Sequence, residues 1–194
     1  MFASVAWGVS SASSYAYSIN NFKKIQDYSK IFSMLNAQTP KDCVVLVREN
    51  TEELEKLIPA YTSCNVYSTT YVFSGITKER ILHNFLINMR LGGIDLPHAH
   101  EYLLAHEGEV RTNFFSDWEQ LFGHGRDQWL DKTVVYLEGE YSEFIRGNLK
   151  DELLQYRMDY LVSDAPLSQN IQNELPGLML VKTFPGFYLY SFPK

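Results

Sequence analysis

Short continuous apolar runs alternate, in the first half of the chain, with longer segments in which apolar residues recur every three or four positions. The run 43–47 (CVVLV) predicts a strand buried on both faces, as in a parallel sheet, and 65–69 (NVYST) predicts a second strand. Helical spacing and capping residues predict helices over three segments: 22–36, Asn50 to Tyr61, and Thr77 to Gly92-Gly93. The order strand, helix, strand, helix over 43–93 favours an α/β layer.

The helical spacing also predicts which apolar side chains face the core. In these three helices they are Phe22, Ile25, Tyr28, Ile31, Phe32, Leu35, Leu54, Leu57, Ile58, Tyr61, Leu82, Phe85, Leu86 and Met89. Residues 94–128 have the least regular pattern, and we expect a polar helix within a loop region there. Residues 129–157 predict a helix in two pieces, and the run TVVYL is assigned to it because Leu130, Val134 and Leu137 keep the helical period.

A strand and a hairpin are predicted near the end of the chain. Residues 159–163 (DYLVS) predict another buried strand, followed by Asp164 and a short helix, and 178–192 predict a hairpin that turns at Pro185-Gly186. The fold class is therefore expected to be α/β: a small Rossmann-like, mostly parallel sheet with flanking helices and a C-terminal β-hairpin. We expect residues 22–194 to form this single domain.

Residues 1–21 carry no charged side chain, and the first charges are Lys23 and Lys24. This stretch contains six serines, so it is too polar for a complete membrane span of about 20 apolar residues. It also lacks the basic start of a signal peptide. Two interpretations stay open: the end of a membrane helix that is truncated at Met1, and an N-terminal helix that packs against the domain.

The composition, with 45 % hydrophobic and 21 % charged residues among 194, excludes the disordered and low-complexity classes. The net charge of −6 leaves no basic footprint, so we expect no nucleic-acid partner. The two cysteines, Cys43 and Cys64, are too few for a disulfide scaffold and lack zinc-ligand spacing. They form one bridge if their strands are neighbours, and otherwise act as small buried apolar residues.

Four of the five histidines lie within 94–128. His98 and His100 form a His-x-His pair, and His106 completes a set of three that can bind a metal ion. The spacing matches no established zinc motif, so histidines that bond to the protein or face water are the simpler alternative. His124, in a Gly-His-Gly sequence, and Asp164, at the predicted carboxyl end of a strand, are further candidate binding residues.

No motif for a cofactor or a nucleophile is present in the sequence. G-x-G-x-x-G does not follow the first strand, and there is neither a Walker motif nor a G-x-S-x-G turn. We therefore expect no cofactor, and we assign no catalytic residue and no metal ligand. Arg80 and Arg90 are expected to form surface ion pairs, with Glu79 or Asp95 as partners.

Five segments, taken in order, resemble one family. They are FKKIQDYSKIFSMLNAQTPKDCVVLV (22–47), LEKLIPAYTSCNVY (54–67), ITKERILHNFLINMRLGG (76–93), YRMDYLVSD (156–164) and FPGFYLYSF (184–192). Their order is similar to that in the C-terminal extracytoplasmic domain of multi-spanning C-type membrane glycosyltransferases, which use polyprenyl-phosphate sugars, and of uncharacterised bacterial relatives. The likeness covers most of residues 20–192.

The resemblance implies a Rossmann-like accessory domain on the extracytoplasmic side of a membrane, periplasmic or at the cell surface. The family's catalytic acid lies in an early loop with no counterpart in this chain, so the resemblance implies a non-catalytic role. Such a domain is expected to assist the binding of a glycan acceptor or a lipid-linked sugar donor. The alternative from the residues alone is a free-standing soluble metal-binding protein or enzyme that uses His98, His100 and His106.

Overall fold

The structure is a computed structural model, and it describes residue 23 and residues 25–37, 41–48, 53–68 and 76–193. The architecture is α/β: an open, five-stranded mixed sheet flanked by helices, which confirms the fold class expected from the sequence. The interpretations of residues 1–21, and of Asn50 as a helix cap, lie outside the described residues. Within the described ranges, no helix is both long and apolar enough to cross a bilayer.

The sheet consists of a parallel core extended by an antiparallel hairpin. Its strands are β1 (Val44–Arg48), β2 (Asn65–Val66), β3 (Tyr160–Ser163), β4 (Met179–Phe184) and β5 (Phe187–Ser191). Their order is β2-β1-β3-β5-β4. Strand β1 pairs in parallel with β2 and β3, whereas β5 pairs antiparallel with β3 and β4. The predicted hairpin is confirmed, and its turn contains Gly186 at a φ of 76°, a value that favours glycine.

Helices cover both faces of the sheet. One face packs against α1 (residues 25–37) and α2 (Glu53–Tyr61), and the other against α3 (Lys78–Leu91), α8 (Leu149–Leu154) and α9 (Gln169–Glu174). Strand β1 is buried on both sides, because Val45 and Val47 point into the first layer and Leu46 into the second. This arrangement explains the continuous apolar run, since a strand between two helical layers has no polar face.

The prediction of an irregular segment over 94–128 is wrong. Three helices lie there: α4 (Leu96–Ala105), α5 (Glu107–Phe114) and α6 (Trp118–Phe122). Helices α4 and α5, together with α3 and α7 (Gln128–Phe144), enclose a separate apolar core that contains Ala99, Leu103 and Val110. Helices α4 and α5 bury only two residues each and α6 buries none, so the helical pattern in the sequence is weak. The helix starts instead depend on capping, by Asp95 for α4 and Asp117 for α6.

The two predicted helical pieces after residue 128 are α7 and α8. The assignment of TVVYL to a helix is confirmed, since Val134 and Leu137 are buried while Val135 and Tyr136 between them are exposed. Two predicted core positions are exposed instead: Ile25 and Tyr61. Tyr61, the last residue of α2, stacks on Phe32 of α1 with 5.2 Å between the ring centroids, yet it remains 52 % exposed. Phe22 lies outside the described residues, and Pro59 sits inside α2, two residues before its end.

A disulfide joins Cys43 and Cys64, whose Cα atoms lie 4.4 Å apart. Both residues are buried, and each immediately precedes one of two neighbouring parallel strands, β1 and β2. The bridge therefore ties the amino ends of these strands together, and the alternative of two unlinked buried cysteines is not what the structure shows.

Candidate functional site

The four candidate histidines do not converge on one point. Each of the first three bonds to a different partner: His98 Nδ1 to the Asp95 carboxylate, His100 Nδ1 to Glu138 at 3.1 Å, and His106 Nδ1 to the Tyr102 carbonyl at 2.8 Å. His124 is exposed in the segment before α7. Among the described residues, no group of three or more histidine, cysteine, aspartate or glutamate side chains has the geometry to hold a metal ion.

Asp164, the remaining candidate, lies where an open α/β sheet normally binds its ligand. Strand β2 is on one side of β1 and β3 is on the other, so the strand order reverses at the carboxyl ends of β1 and β3. Arg48 ends β1 and is in register with Ser163, which ends β3. The Arg48 Nη1 donates to Ser163 Oγ at 3.3 Å, and the Asp164 N–H donates to the Arg48 carbonyl at 3.1 Å.

Arg48 is the cation at this edge. Its side chain is half-buried, and in the described part of the chain no carboxylate lies within ion-pair distance of its guanidinium. A guanidinium without a carboxylate partner keeps most of its five N–H donors for water or a ligand. Arg48 therefore offers hydrogen-bond donors at the reversal point of the sheet.

Tyr102 is a half-buried residue of α4. Burial, and after it the Glu109 carboxylate of α5, raise the pKa of Tyr102 to about 12, against the opposing effect of the Arg48 charge. The phenol therefore stays neutral at physiological pH and keeps an O–H that can donate. The Tyr102 ring also stacks on His106, with 3.9 Å between the ring centroids, which fixes its orientation.

A small polar cavity lies beside Glu109, between the end of β2 and the helices α3 and α5. Its lining is mostly polar: Ser68, Asn84, Asn88, Glu109 and Asn113, with Ile81 and Phe85. The Ser68 hydroxyl donates to Glu55 at 3.3 Å, and the Asn113 amide donates to the Glu109 carbonyl at 2.9 Å. Asn84 is only 5 % exposed, and in the described part of the chain neither of its side-chain polar atoms has a hydrogen-bond partner.

We call this region the carboxyl-edge site. It comprises Arg48, Ser68, Asn84, Asn88, Tyr102, Glu109, Asn113, Ser163 and Asp164. Donors and acceptors are mixed throughout the set. Carboxylates at Glu109 and Asp164 disfavour a bare anion, whereas amides, hydroxyls and a guanidinium next to carboxylates suit a ligand rich in hydroxyl groups.

Sequence reasoning found only Asp164 of this site. Arg48 had a signal, since it is a charged residue directly after a buried strand. Asn84 and Asn88 also had a sequence signal. They are four residues apart on a helix face next to the apolar Phe85 and Met89, so this face is expected to point inward. No local pattern indicates Tyr102, which packs against the core enclosed by α3, α4, α5 and α7.

The expected surface pairing of Arg80 and Arg90 with Glu79 or Asp95 is wrong, although Arg90 does form an ion pair. Arg80 stacks between the Tyr67 and Tyr156 rings, 4.5 and 3.3 Å from their centroids, and its Nη2 donates to the Tyr67 carbonyl. Arg90 is buried and pairs with Glu174 of α9 at 2.7 Å. Both guanidinium groups thus bind residues that are distant in sequence and are brought close by tertiary packing. These partners shield the charges from water more than a neighbouring surface carboxylate would.

Comparison of the chain with family models, with curated proteins and with solved structures finds no match.

Proposed function

We propose that the chain is a non-catalytic extracytoplasmic accessory domain of a membrane glycosyltransferase-like protein. In this role it holds the sugar part of a glycan acceptor or of a lipid-linked sugar donor at the carboxyl-edge site. The observation that carries the proposal is the mixed donor and acceptor set at the reversal point of the sheet, where Arg48 has no carboxylate partner among the described residues.

The chemistry of a sugar supports this ligand class. Each sugar hydroxyl both donates and accepts a hydrogen bond, so it requires neighbouring groups of both kinds. Arg48 and Tyr102 donate, while Glu109 and Asp164 carry carboxylate oxygens that accept. The half-buried Tyr102 ring also provides apolar surface of the kind that packs against the C–H face of a sugar.

The disulfide supports the extracytoplasmic location. Disulfides persist in oxidising compartments, such as the bacterial periplasm and cell surfaces, and are rare in the cytosol. Cys43 and Cys64 are joined at the amino ends of β1 and β2, away from the carboxyl-edge site. A bridge at this position stabilises β1, which ends with Arg48, and β2, which leads to Ser68, without occupying the ligand side.

The attachment to a membrane protein is tested by reading the genomic DNA upstream of the Met1 codon in the same frame. The proposal predicts an open frame that encodes several stretches of about 20 apolar residues. A stop codon followed by a ribosome-binding signal directly upstream would refute the attachment.

The ligand class is tested by nuclear magnetic resonance titration with free hexoses and N-acetylhexosamines. We expect at least one sugar to shift amide signals around Arg48 and Tyr102. Arg48→Gln should weaken binding by about tenfold or more, because hydrogen bonds to a charged group contribute roughly 1.5–3 kcal/mol. The matched control is Arg126→Gln, since Arg126 is exposed and pairs with Asp131 outside the site.

A second arm separates the two sources of the sugar. A free oligosaccharide represents the acceptor, and a polyprenyl-phosphate hexose in detergent micelles represents the donor. Tighter binding of the lipid-linked form assigns the site to the donor, and tighter binding of the oligosaccharide assigns it to the acceptor. Absence of binding to every sugar, with the protein folded, would refute the proposed ligand class.

A further inference from the structure

Asn84 is the residue of the carboxyl-edge site whose buried polar atoms most need hydrogen-bond partners. It lies on the inward face of α3 and is 5 % exposed, and among the described residues neither its Nδ2 nor its Oδ1 has a hydrogen-bond partner. The Asn88 Oδ1, one helical turn further on, is also buried with no partner among those residues. Buried side-chain polar atoms in native proteins nearly always have partners, because an unpaired group loses its hydration without compensation. These three atoms therefore require a group that the described residues do not supply.

The cavity in front of these atoms has the size of one small polar group. Its volume is about 10 Å³, so it accommodates a single oxygen atom with its hydrogen. Ser68 and Glu109 complete its polar wall, and Ile81 and Phe85 form its apolar side. An apolar wall beside polar atoms matches a hydroxyl carried on carbon better than it matches an ion with a full hydration shell.

The three unpaired atoms also determine which chemistry fits. They are one N–H donor and two carbonyl acceptors. Rotating either amide by 180° exchanges the positions of its nitrogen and oxygen, and the site still presents both a donor and an acceptor. A metal cation pairs with the carbonyl oxygens and leaves the donor unpaired, and an anion does the reverse. A hydroxyl group accepts from Asn84 Nδ2 and donates to a carbonyl, so it pairs with both kinds.

We infer that this cavity is a subsite for one hydroxyl group of the bound sugar. The inference rests on the proposed function and names how the ligand is oriented. The remainder of the sugar ring then extends from the cavity at the end of β2 along the sheet edge towards Arg48, which ends the neighbouring strand β1. The subsite distinguishes sugars by the position of a single hydroxyl.

The test uses Asn84→Leu, which keeps the size of the side chain but removes both polar atoms. We expect the variant to lose affinity for the bound hexose by about tenfold or more. Without sugar, it should melt at a higher temperature than the wild type, because it no longer buries unpaired polar atoms. The matched control is Asn173→Leu, since Asn173 is an exposed asparagine on α9 that bonds to Gln169.

A series of monodeoxy hexoses, each lacking one hydroxyl, identifies the group that enters the cavity. One member should lose as much affinity for the wild type as Asn84→Leu loses for the parent sugar. That same member should bind the variant and the wild type equally. Asn88→Leu, which removes the other unpaired carbonyl, provides a second variant in case Asn84→Leu does not fold.

The outcomes separate this inference from the function on which it rests. If Arg48→Gln weakens hexose binding and neither asparagine variant does, the site is retained and the subsite is refuted. If the asparagine variants lower the melting temperature and leave hexose binding unchanged, the cavity holds a structural water, and the inference is also overturned. If no hexose binds the folded wild type, the proposed ligand class fails first.

Discussion

Arg111 is the most completely buried charge in the described part of the chain, with 2 % of its surface exposed. It donates four hydrogen bonds, three of which hold the segment between α5 and α7 in place. Its Nε donates to Glu107 at 2.8 Å, its Nη1 to the Gln120 carbonyl at 2.9 Å, and its Nη2 to the Gly125 carbonyl at 2.9 Å and to Asp127 at 2.7 Å. Arg111→Met removes all four bonds and keeps most of the aliphatic packing.

The structure sets the size of the loss. Removing one partner of a fully buried ion pair costs about 3–5 kcal/mol. The Glu107 and Asp127 side chains are 26 % and 44 % exposed, so water can hydrate them once the guanidinium is gone. We therefore expect Arg111→Met to lower the free energy of unfolding by about 3 kcal/mol, the lower end of that range. Arg111→Lys should lower the free energy of unfolding by about half as much, because an ammonium keeps the charge but cannot reproduce the planar set of guanidinium N–H donors.

The loss is measured by urea denaturation followed by circular dichroism and tryptophan fluorescence. Arg126→Met is the control, because Arg126 is 65 % exposed and its pair with Asp131 should contribute less than about 1 kcal/mol. A second readout is the Asp127 pKa, which the Leu130 N–H and then Arg111 hold below its usual range, so that Arg111→Met should raise it. A loss below about 1 kcal/mol would refute the reasoning, since the four bonds would then barely exceed the hydration they replace.

Two further predictions concern pH and redox conditions. Burial and then Arg80 hold the pKa of His83 below its ordinary value, against a hydrogen bond at the Glu152 backbone, so the unfolded chain takes up the proton more readily. The stability that neutral His83 contributes is complete above about pH 6.5 and falls as the pH is lowered through that value. His83→Gln should therefore reduce the slope of unfolding free energy against pH, measured by urea titrations at several pH values. An unchanged slope would contradict this assignment. Reduction of the Cys43–Cys64 bridge should cost about 3 kcal/mol in the same assay, and the Cys43→Ser/Cys64→Ser double variant, as the control, should not respond to reductant.

The sheet was predictable because its strands have signals that do not depend on distant residues. The run 43–47 is apolar at every position, and only a strand between two helical layers buries such a run. The hairpin followed from Pro185-Gly186 between two apolar segments. The helices α4 to α6 were missed because α4 and α5 bury only two residues each and α6 buries none, so the amphipathic period is weak.

The carboxyl-edge site was less predictable, because its residues meet only through tertiary pairing. Arg48 and Ser163 are 115 residues apart in sequence, and neither has a role until β1 and β3 lie side by side. Asp164 was found because a general rule places sites at strand ends. The histidines suggested a metal site in the sequence. In the structure, His98 and His106 bond to residues within four positions of themselves, and such local bonds stabilise the ends of a helix and do not bring metal ligands together.

Helix α3 contributes side chains to two of the three apolar cores that the described residues form. Ile87 and Leu91 pack with the sheet, whereas Phe85, Leu86 and Met89 pack with α4, α5 and α7. A helix shared in this way couples the two regions thermodynamically, because neither can melt without uncovering a face of α3. The chain should therefore unfold in a single cooperative transition, although its helices after β2 are numerous enough to suggest an independent folding unit. Evolution can then vary the surface of that helical region freely, while substitutions on either face of α3 affect the stability of both.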